Sequence, residues 1–596
     1  MPALYILLAI VCVVLIWWLV SLIWGKPWSI DLLYARVFIQ LGFDSPELLT
    51  MLGLLEKFGW HWHNAKLADA SDAHEVKFLA RAKNSLALLR SYRRERQSKA
   101  QLLSTDIMDW FLDDMARGEQ FRHHNYPLNQ MAGIQSELPN FMTTLHPLNS
   151  RLEARNYIKR LSRFGVKFDQ VLEGLKIRQQ KGIIPPRFVI RRVLDEMKAF
   201  TGQPAQENPL YTVFRDKIAK LNLNPQENAA FLADAQREIE RTVYPAYQKF
   251  SAYFTGLEAL ATTDDGVWKL PDGDAFYRYC LRSNTTTDFT PEQVHQIGLD
   301  EVRRIEAEMH AILTSLGVTD IQRAPQKLLE FSKEERFLYP NTDEGRAAAL
   351  ADYQAILDHV DKNLSPAFDV RPKAGMKVER VPEFLEKTSA GAYYQMPDMG
   401  GSRPGIFFAN LRDMNEVPKF GMKTLSYHEG IPGHHFQIAI AQELSGVPFF
   451  RRLLPFTAYA EGWALYAEKL CREMGFYKDD PYSELGYLDS ELFRAVRLVV
   501  DTGIHFKRWT REQAIEYMQA HTGIALESII SEIERYIVMP GQACAYKIGE
   551  LKIVELRDKA RQKLGSRFDL RQFHNVILKN GGMPLSLLER VIVEAF

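Results

Sequence analysis

Residues 428–435 read His-Glu-Gly-Ile-Pro-Gly-His-His, and Glu461 follows in Ala460-Glu461-Gly462-Trp463. Two histidines and a glutamate in this order outline a metal site that no regular helix can build. In the usual helical form, H-E-x-x-H, the histidines lie one turn apart and share an ion while the glutamate acts as general base. Here His434 comes six residues after His428, and at about 100° per residue its side chain turns roughly 240° away. His435 restores the face, but at about 1.5 Å rise per residue its Cα lies roughly 10 Å along the axis. Both ligand nitrogens must come within about 2.1 Å of one ion. The helix must therefore be interrupted, and the residues that interrupt it are present. Pro432 removes a backbone donor and clashes with the preceding turn, while Gly430 and Gly433 open conformations closed to other residues. A bulged turn, of a kind found inside helices at functional sites, is expected to bring His434 beside His428.

The pattern predicts one Zn²⁺ per chain, held by His428, His434 and Glu461 with a fourth position open, as in catalytic His₂Glu sites. His435 competes with His434 for the second position. Glu429, adjacent to a ligand, is the expected general base. Glu468 lies seven residues beyond Glu461 on the same helical face, and is either a support for a ligand or a solvated charge. Arg497, Asp501 and His505 form a polar stripe through an apolar run, which must be satisfied if buried. Asp501, with His505 one turn on, could hold a ligand imidazole in its tautomer, or the stripe is an ordinary helical ion pair. Tyr546 and Tyr536 are candidate donors to an oxyanion, although tyrosines more often pack with a satisfied hydroxyl.

The strings Ser426-Tyr427-His428-Glu429-Gly430-Ile431-Pro432-Gly433-His434-His435-Phe436-Gln437 and Glu461-Gly462-Trp463-Ala464-Leu465-Tyr466-Ala467-Glu468 resemble the signature of the bacterial family known as domain of unknown function 885. Gly400-Gly401-Ser402-Arg403-Pro404-Gly405 and the segment from Met539 to Gly549 extend the resemblance over nearly all of the chain beyond its N-terminus. That family is grouped with zincin metallopeptidases of the His-His-Glu type. The resemblance implies a mainly α, zincin-like multi-helical fold with a small β-sheet beside the metal helix, and a peptide-like substrate. Dipeptidyl peptidase III offers a partial analogy, since its motif also lengthens before a Gly-His pair. That order favours His434 over His435.

Lysine plus arginine equal aspartate plus glutamate at 74 each, so there is no global field to attract nucleic acid. No nucleic-acid module or phosphate loop is evident, and no nucleic-acid partner is expected. Cys12, Cys280, Cys471 and Cys544 are scattered and form no C-x-x-C pair, which gives no disulfide framework.

No charged side chain occurs from Pro2 to Gly25, and Leu4 to Trp24 is almost wholly apolar. A run of about 20 such residues predicts a transmembrane helix, with Trp17, Trp18, Trp24 and Trp28 toward one interface. With no basic segment before it and no small-residue cleavage site after it, the reading is a retained single-pass anchor rather than a signal peptide. Val11 before Cys12 argues against a lipoprotein cysteine. Lys26 and Arg36 favour a cytoplasmic side for the remainder of the chain, whereas the resemblance implies an exported, periplasmic catalytic domain.

At 596 residues the chain exceeds what one core usually supports. The expected division is an anchor over 1–25, a helical lobe over 26–380 and a metal-binding lobe over 381–596, interleaved in part. Thr290-Pro291-Glu292-Gln293 and Thr510-Arg511-Glu512-Gln513 are helix-start signals. Gly405 to Asn410 reads as a short strand that could pair with an extended peptide. The chemistry admits three functions: a membrane-anchored zinc peptidase acting on small or unstructured peptides, a zinc amidase or esterase, and a catalytically silent binding protein.

Overall fold

The computed structural model describes all residues except 1, 24, 320, 322, 384–385, 387–389, 398 and 400–402, and in the first helix omits the side chains of 2–4, 7, 8 and 22. Gly400, Gly401 and Ser402 of the glycine-rich signature thus lie outside the described residues. The chain is mainly helical with one three-stranded sheet. It divides into two compact units, Met1–Asp264 with Pro448–Phe450, and Asp265–Val447 with Arg451–Phe596. The division falls at Asp264, and the change of texture near residue 380 lies inside the second unit, where the sheet begins.

The first unit is helical throughout and is built on aromatic packing: Phe168 stacks on Phe250 at 4.5 Å between centroids, and Tyr157 on Phe214 at 4.8 Å. Its first helix, Pro2–Ile23, corrects an expectation. Among the described residues no helix is long and apolar enough to cross a membrane, so the transmembrane helix, and with it the single-pass anchor, is not supported. The C-terminal end of this first helix packs on protein, with Trp17 edge-on to Trp28 at 5.1 Å and Ser21 buried.

In the second unit the expected helix starts are present. The Thr290 and Thr510 hydroxyls accept from the backbone N–H of Gln293 and Gln513, and each glutamine side chain accepts from the backbone N–H of its threonine. Two helix pairs frame the region that includes Glu461. The helix Pro291–Ser315 lies along Pro481–His505, and Thr457–Glu473 along Ala545–Leu564. The second pair closes at Gly462 and Gly549, where a Cβ on Gly549 would stand 2.0 Å from the Ala458 carbonyl oxygen. Only glycine permits that approach.

The sheet runs β1 (Met376–Arg380), β3 (Gly405–Ala409), β2 (Ala392–Gln395), with β1 parallel and β2 antiparallel to β3. The strand expected from Gly405 is therefore the central one. Neighbours occupy both its edges, so a peptide cannot add to it, and the outer side of β2 takes over that possibility. The helix Asp343–Lys362 covers the sheet, with Tyr353 against Phe407 at 5.2 Å in a buried cluster that ends at Met422. Met422 opens the helix that carries His428.

Candidate metal centre

The helix Met422–Glu429 stops one residue after His428, and a new helix, His434–Glu443, starts at His434 itself. The chain is thus broken between the two histidines rather than bulged within one helix. The four-residue connection contains a cis Ile431–Pro432 bond. The Gly430 N–H donates to Ser426 O at 2.9 Å and the His435 N–H to Gly430 O at 3.2 Å. A Cβ on Gly433 would meet the His428 carbonyl oxygen at 2.0 Å, so the turn is as tight as glycine allows. Trp463, fully buried two residues after Glu461, donates its indole N–H to Pro432 O at 2.9 Å. That bond fastens the turn to the Glu461 helix.

These breaks bring three side chains together. His428 Nε2 lies 3.6 Å and His434 Nε2 3.4 Å from the same Glu461 oxygen, and one ligand atom from each residue falls within 4.8 Å of the others. The imidazole planes are nearly perpendicular, at 84°. Glu461 Oε2 and His434 Nδ1 are buried without a hydrogen-bond partner. Buried polar atoms are rarely left so, and two imidazoles with one carboxylate converging on a point form a donor set that fits a cation. The cluster could bind a metal ion.

Burial works against charge on His428, but the Glu461 and Glu468 carboxylates outweigh it and raise the imidazole pKa to about 9. Burial likewise pushes Glu461 up, yet His434 and His428 hold its carboxyl well below the usual range.

His435 faces away from the cluster. Its Nε2–H donates to Ala374 O at 3.1 Å, so its Nδ1 must accept from the Tyr394 hydroxyl at 2.9 Å. Burial depresses its pKa to about 4, which keeps this neutral tautomer. His435 thus ties β2 and the approach to β1 to the second histidine helix. With both ring nitrogens engaged, it has none to offer a metal.

Glu468 is 1% exposed and accepts the His428 Nδ1–H at 2.7 Å, while its other oxygen accepts from the Ser490 hydroxyl at 3.2 Å. Arg494 stands 4.0 Å from it. The role expected of Asp501 falls to Glu468 instead. Asp501 accepts from Tyr277 Oη at 2.6 Å and from the Gly541 N–H at 3.1 Å, and burial raises its pKa to about 7. His505 accepts at Nδ1 from the Val267 N–H and donates from Nε2 to Tyr536 O. Arg497 donates to Tyr536 Oη and Glu532. The polar stripe is buried and satisfied, but what it joins are helices and loops rather than metal ligands.

Glu429 is half-buried and, among the described residues, its carboxylate makes no hydrogen bond or ion pair. Tyr536 is committed, accepting from Arg497 Nε at 2.9 Å and donating to Glu532 at 2.6 Å. Tyr546 differs. It is half-buried, the Arg497 guanidinium lies 4.7 Å over its ring, and its hydroxyl has no hydrogen bond among the described residues. It sits one turn before Gly549, where its helix meets that of Glu461. Sequence reasoning alone does not single out Ser490, Arg494 or Trp463. The only signal for the first two is their i, i+4 spacing on one helix.

The chain matches a solved protein of Colwellia psychrerythraea, described as a candidate lipoprotein, at 34% identity and a TM-score of 0.92 over 96% of this chain and 99% of that one. A candidate lipoprotein of unknown function from Shewanella oneidensis shares the fold, with a TM-score of 0.73 and 18% identity over 95% of this chain and all of the other. No curated protein matches the sequence. The family model for bacterial proteins of unknown function 885 matches residues 46–592. With the histidine and glutamate strings of that signature assembled into one centre, the chain belongs to the DUF885 family.

Proposed function

We propose that this protein is a zinc-dependent hydrolase, most simply a peptidase acting on small or unstructured peptides. The observation that carries the reading is the convergence of His428, His434 and Glu461 on one point, with two buried atoms unpartnered, beside an uncommitted glutamate at 429. His428 and His434 would hold the ion through Nε2 and Glu461 through its unpartnered oxygen. When bound, zinc would supply a Lewis acid that polarises an acyl oxygen and acidifies water toward a pKa of about 7.

The remaining steps belong to the chain. Glu429 takes a proton from the attacking water and passes it to the leaving amine. The Tyr546 hydroxyl is the available donor for the developing oxyanion, since that of Tyr536 is already used. Glu468 holds His428 with Nε2 turned toward Glu461.

Two features favour an extended peptide. The ligand side chains are largely buried, which excludes a folded substrate from the reacting atoms. Beside them, β2 has no strand on its outer side among the described residues, and its Tyr394 touches His435. An extended chain could add to that edge through main-chain hydrogen bonds. The Colwellia relative, a candidate lipoprotein, supports a place at a membrane for this chain too. Metal analysis of the purified protein, followed by a peptide-library digest with and without chelator, tests the proposal. A chain that takes up no zinc, or a zinc-loaded chain that cleaves no peptide bond, would count against it.

A further inference from the structure

Apart from the first helix and Trp28, the first unit turns several aromatic side chains out to solvent between Phe43 and Trp62. After the helix Pro46–Leu52 the chain makes a tight turn at Gly59, whose φ is 76°. The turn is closed by Phe58 N–H and Trp60 N–H on Leu55 O and by Gly59 N–H on Glu56 O. Phe58 and Trp60 flank the glycine, 74% and 59% exposed, with their rings 6.2 Å apart. Next to them in the chain, Trp62 stacks on Phe43 at 5.7 Å, both still exposed, and Ile39 one turn before Phe43 is exposed as well.

This surface is held rigidly from below. Arg160, fully buried, donates to Lys66 O at 2.9 Å, His63 O at 3.1 Å and Thr50 Oγ1 at 2.7 Å. Glu56 is drawn inward, accepting from His63 at 2.9 Å and Asn64 at 3.0 Å. A buried guanidinium with several carbonyl and hydroxyl partners fixes the chain on either side of the loop that carries the rings. Two pairs of exposed aromatic rings carried within some twenty residues make an apolar surface of the kind that marks an interaction site.

The charges around it indicate the occupant. Of the nearby acids, Asp44 beside Phe43 is paired with Arg81, Glu56 is turned inward, and Glu47 is paired with Lys167 at 2.7 Å. The exposed charges at the rim are Lys57, Lys66, whose ammonium lies 4.7 Å over Trp62, and Arg163, bound to Ala65 O. Tryptophan and phenylalanine on a projecting loop with a basic rim suit the headgroup zone of a bilayer, where amphipathic rings are stabilised and anionic lipids attract cations.

We propose that Phe43, Phe58, Trp60 and Trp62 form a platform that seats on an anionic lipid surface, with Lys57, Lys66 and Arg163 toward the headgroups. The contact lies on the bilayer and does not span it, and it is independent of the metal centre.

The test uses the full chain with Cys12→Ser, since the other three cysteines are buried, and one introduced cysteine bearing an environment-sensitive fluorophore. The label is placed by Trp60→Cys or, as a control on another exposed helix, by Glu173→Cys. With phosphatidylcholine–phosphatidylglycerol vesicles, the label at 60 is expected to shift to the blue and be quenched by brominated lipid, while that at 173 stays in water. Phosphatidylcholine alone should weaken the response several-fold. In a chain labelled through Trp62→Cys, adding Phe58→Ser and Trp60→Ser should lower the lipid response roughly tenfold or more. A label at 60 that stays in water with vesicles overturns the proposal. So does a shift that follows protein concentration without lipid, which would make a second copy the occupant.

Discussion

The His428 imidazole donates its Nδ1–H to Glu468 at 2.7 Å, and this bond leaves Nε2 pointing at Glu461. A buried carboxylate behind a ligand histidine sets both its tautomer and its orientation, and removing such partners typically weakens metal binding 10- to 100-fold. Glu468→Ala should show a loss of that size in a chelator competition with zinc. Glu468→Gln, whose amide oxygen can still accept the Nδ1–H hydrogen bond, should lose less. Equal affinities in all three proteins would reduce the bond to packing.

Removing two of the three converging groups together should abolish the centre. In His428→Ala/Glu461→Ala a single imidazole remains, and zinc measured by mass spectrometry after dialysis should fall from about one equivalent per chain to background. Full occupancy in a folded double variant would place the metal elsewhere.

Glu429→Gln separates binding from chemistry. The amide preserves shape but cannot take a proton, so zinc content should be unchanged while turnover of the best peptide substrate falls by roughly 10² to 10⁴. Near-normal turnover would assign the base to another group.

The two tyrosines should part company in a pairwise comparison. Tyr546→Phe should leave thermal stability unchanged and lower kcat with little effect on KM, as expected when a transition-state donor is lost. Tyr536→Phe leaves Arg497 and Glu532 short of a buried partner, which typically costs about 1–3 kcal/mol of stability. The proposed division fails if kcat falls only in the Tyr536 variant.

Asp501 offers a pH signature away from the histidine cluster. Burial raises its pKa from 3.8 to about 7 in the folded chain, so the folded state binds the proton more tightly than the unfolded one. Its contribution to stability is therefore complete below about pH 4 and is lost as pH rises toward about 7. Denaturation midpoints of the parent and of Asp501→Asn, which mimics the protonated acid, should diverge over that window, with the parent showing the steeper decline. Parallel curves would mean that Asp501 does not titrate there.

What the sequence by itself determined was local. Thr290 and Thr510 announced helix starts because a capping box is satisfied within four residues, and Gly430, Pro432 and Gly433 announced a break because their backbone limits are intrinsic. The strand from Gly405 and the grouping of His428, His434 and Glu461 were legible for similar reasons of order and spacing. What only the tertiary structure decided depended on partners distant in the chain. Whether the Gly405 strand was edge or centre turned on β1 and β2. Which of His434 and His435 faces Glu461 turned on Tyr394 and Ala374, which engage both nitrogens of the His435 ring. The acid bonded to His428 is Glu468 rather than Asp501, because helix packing sets which buried carboxylate faces that imidazole. A buried hydrogen bond is a relation between elements, and spacing along one helix carries only half of it.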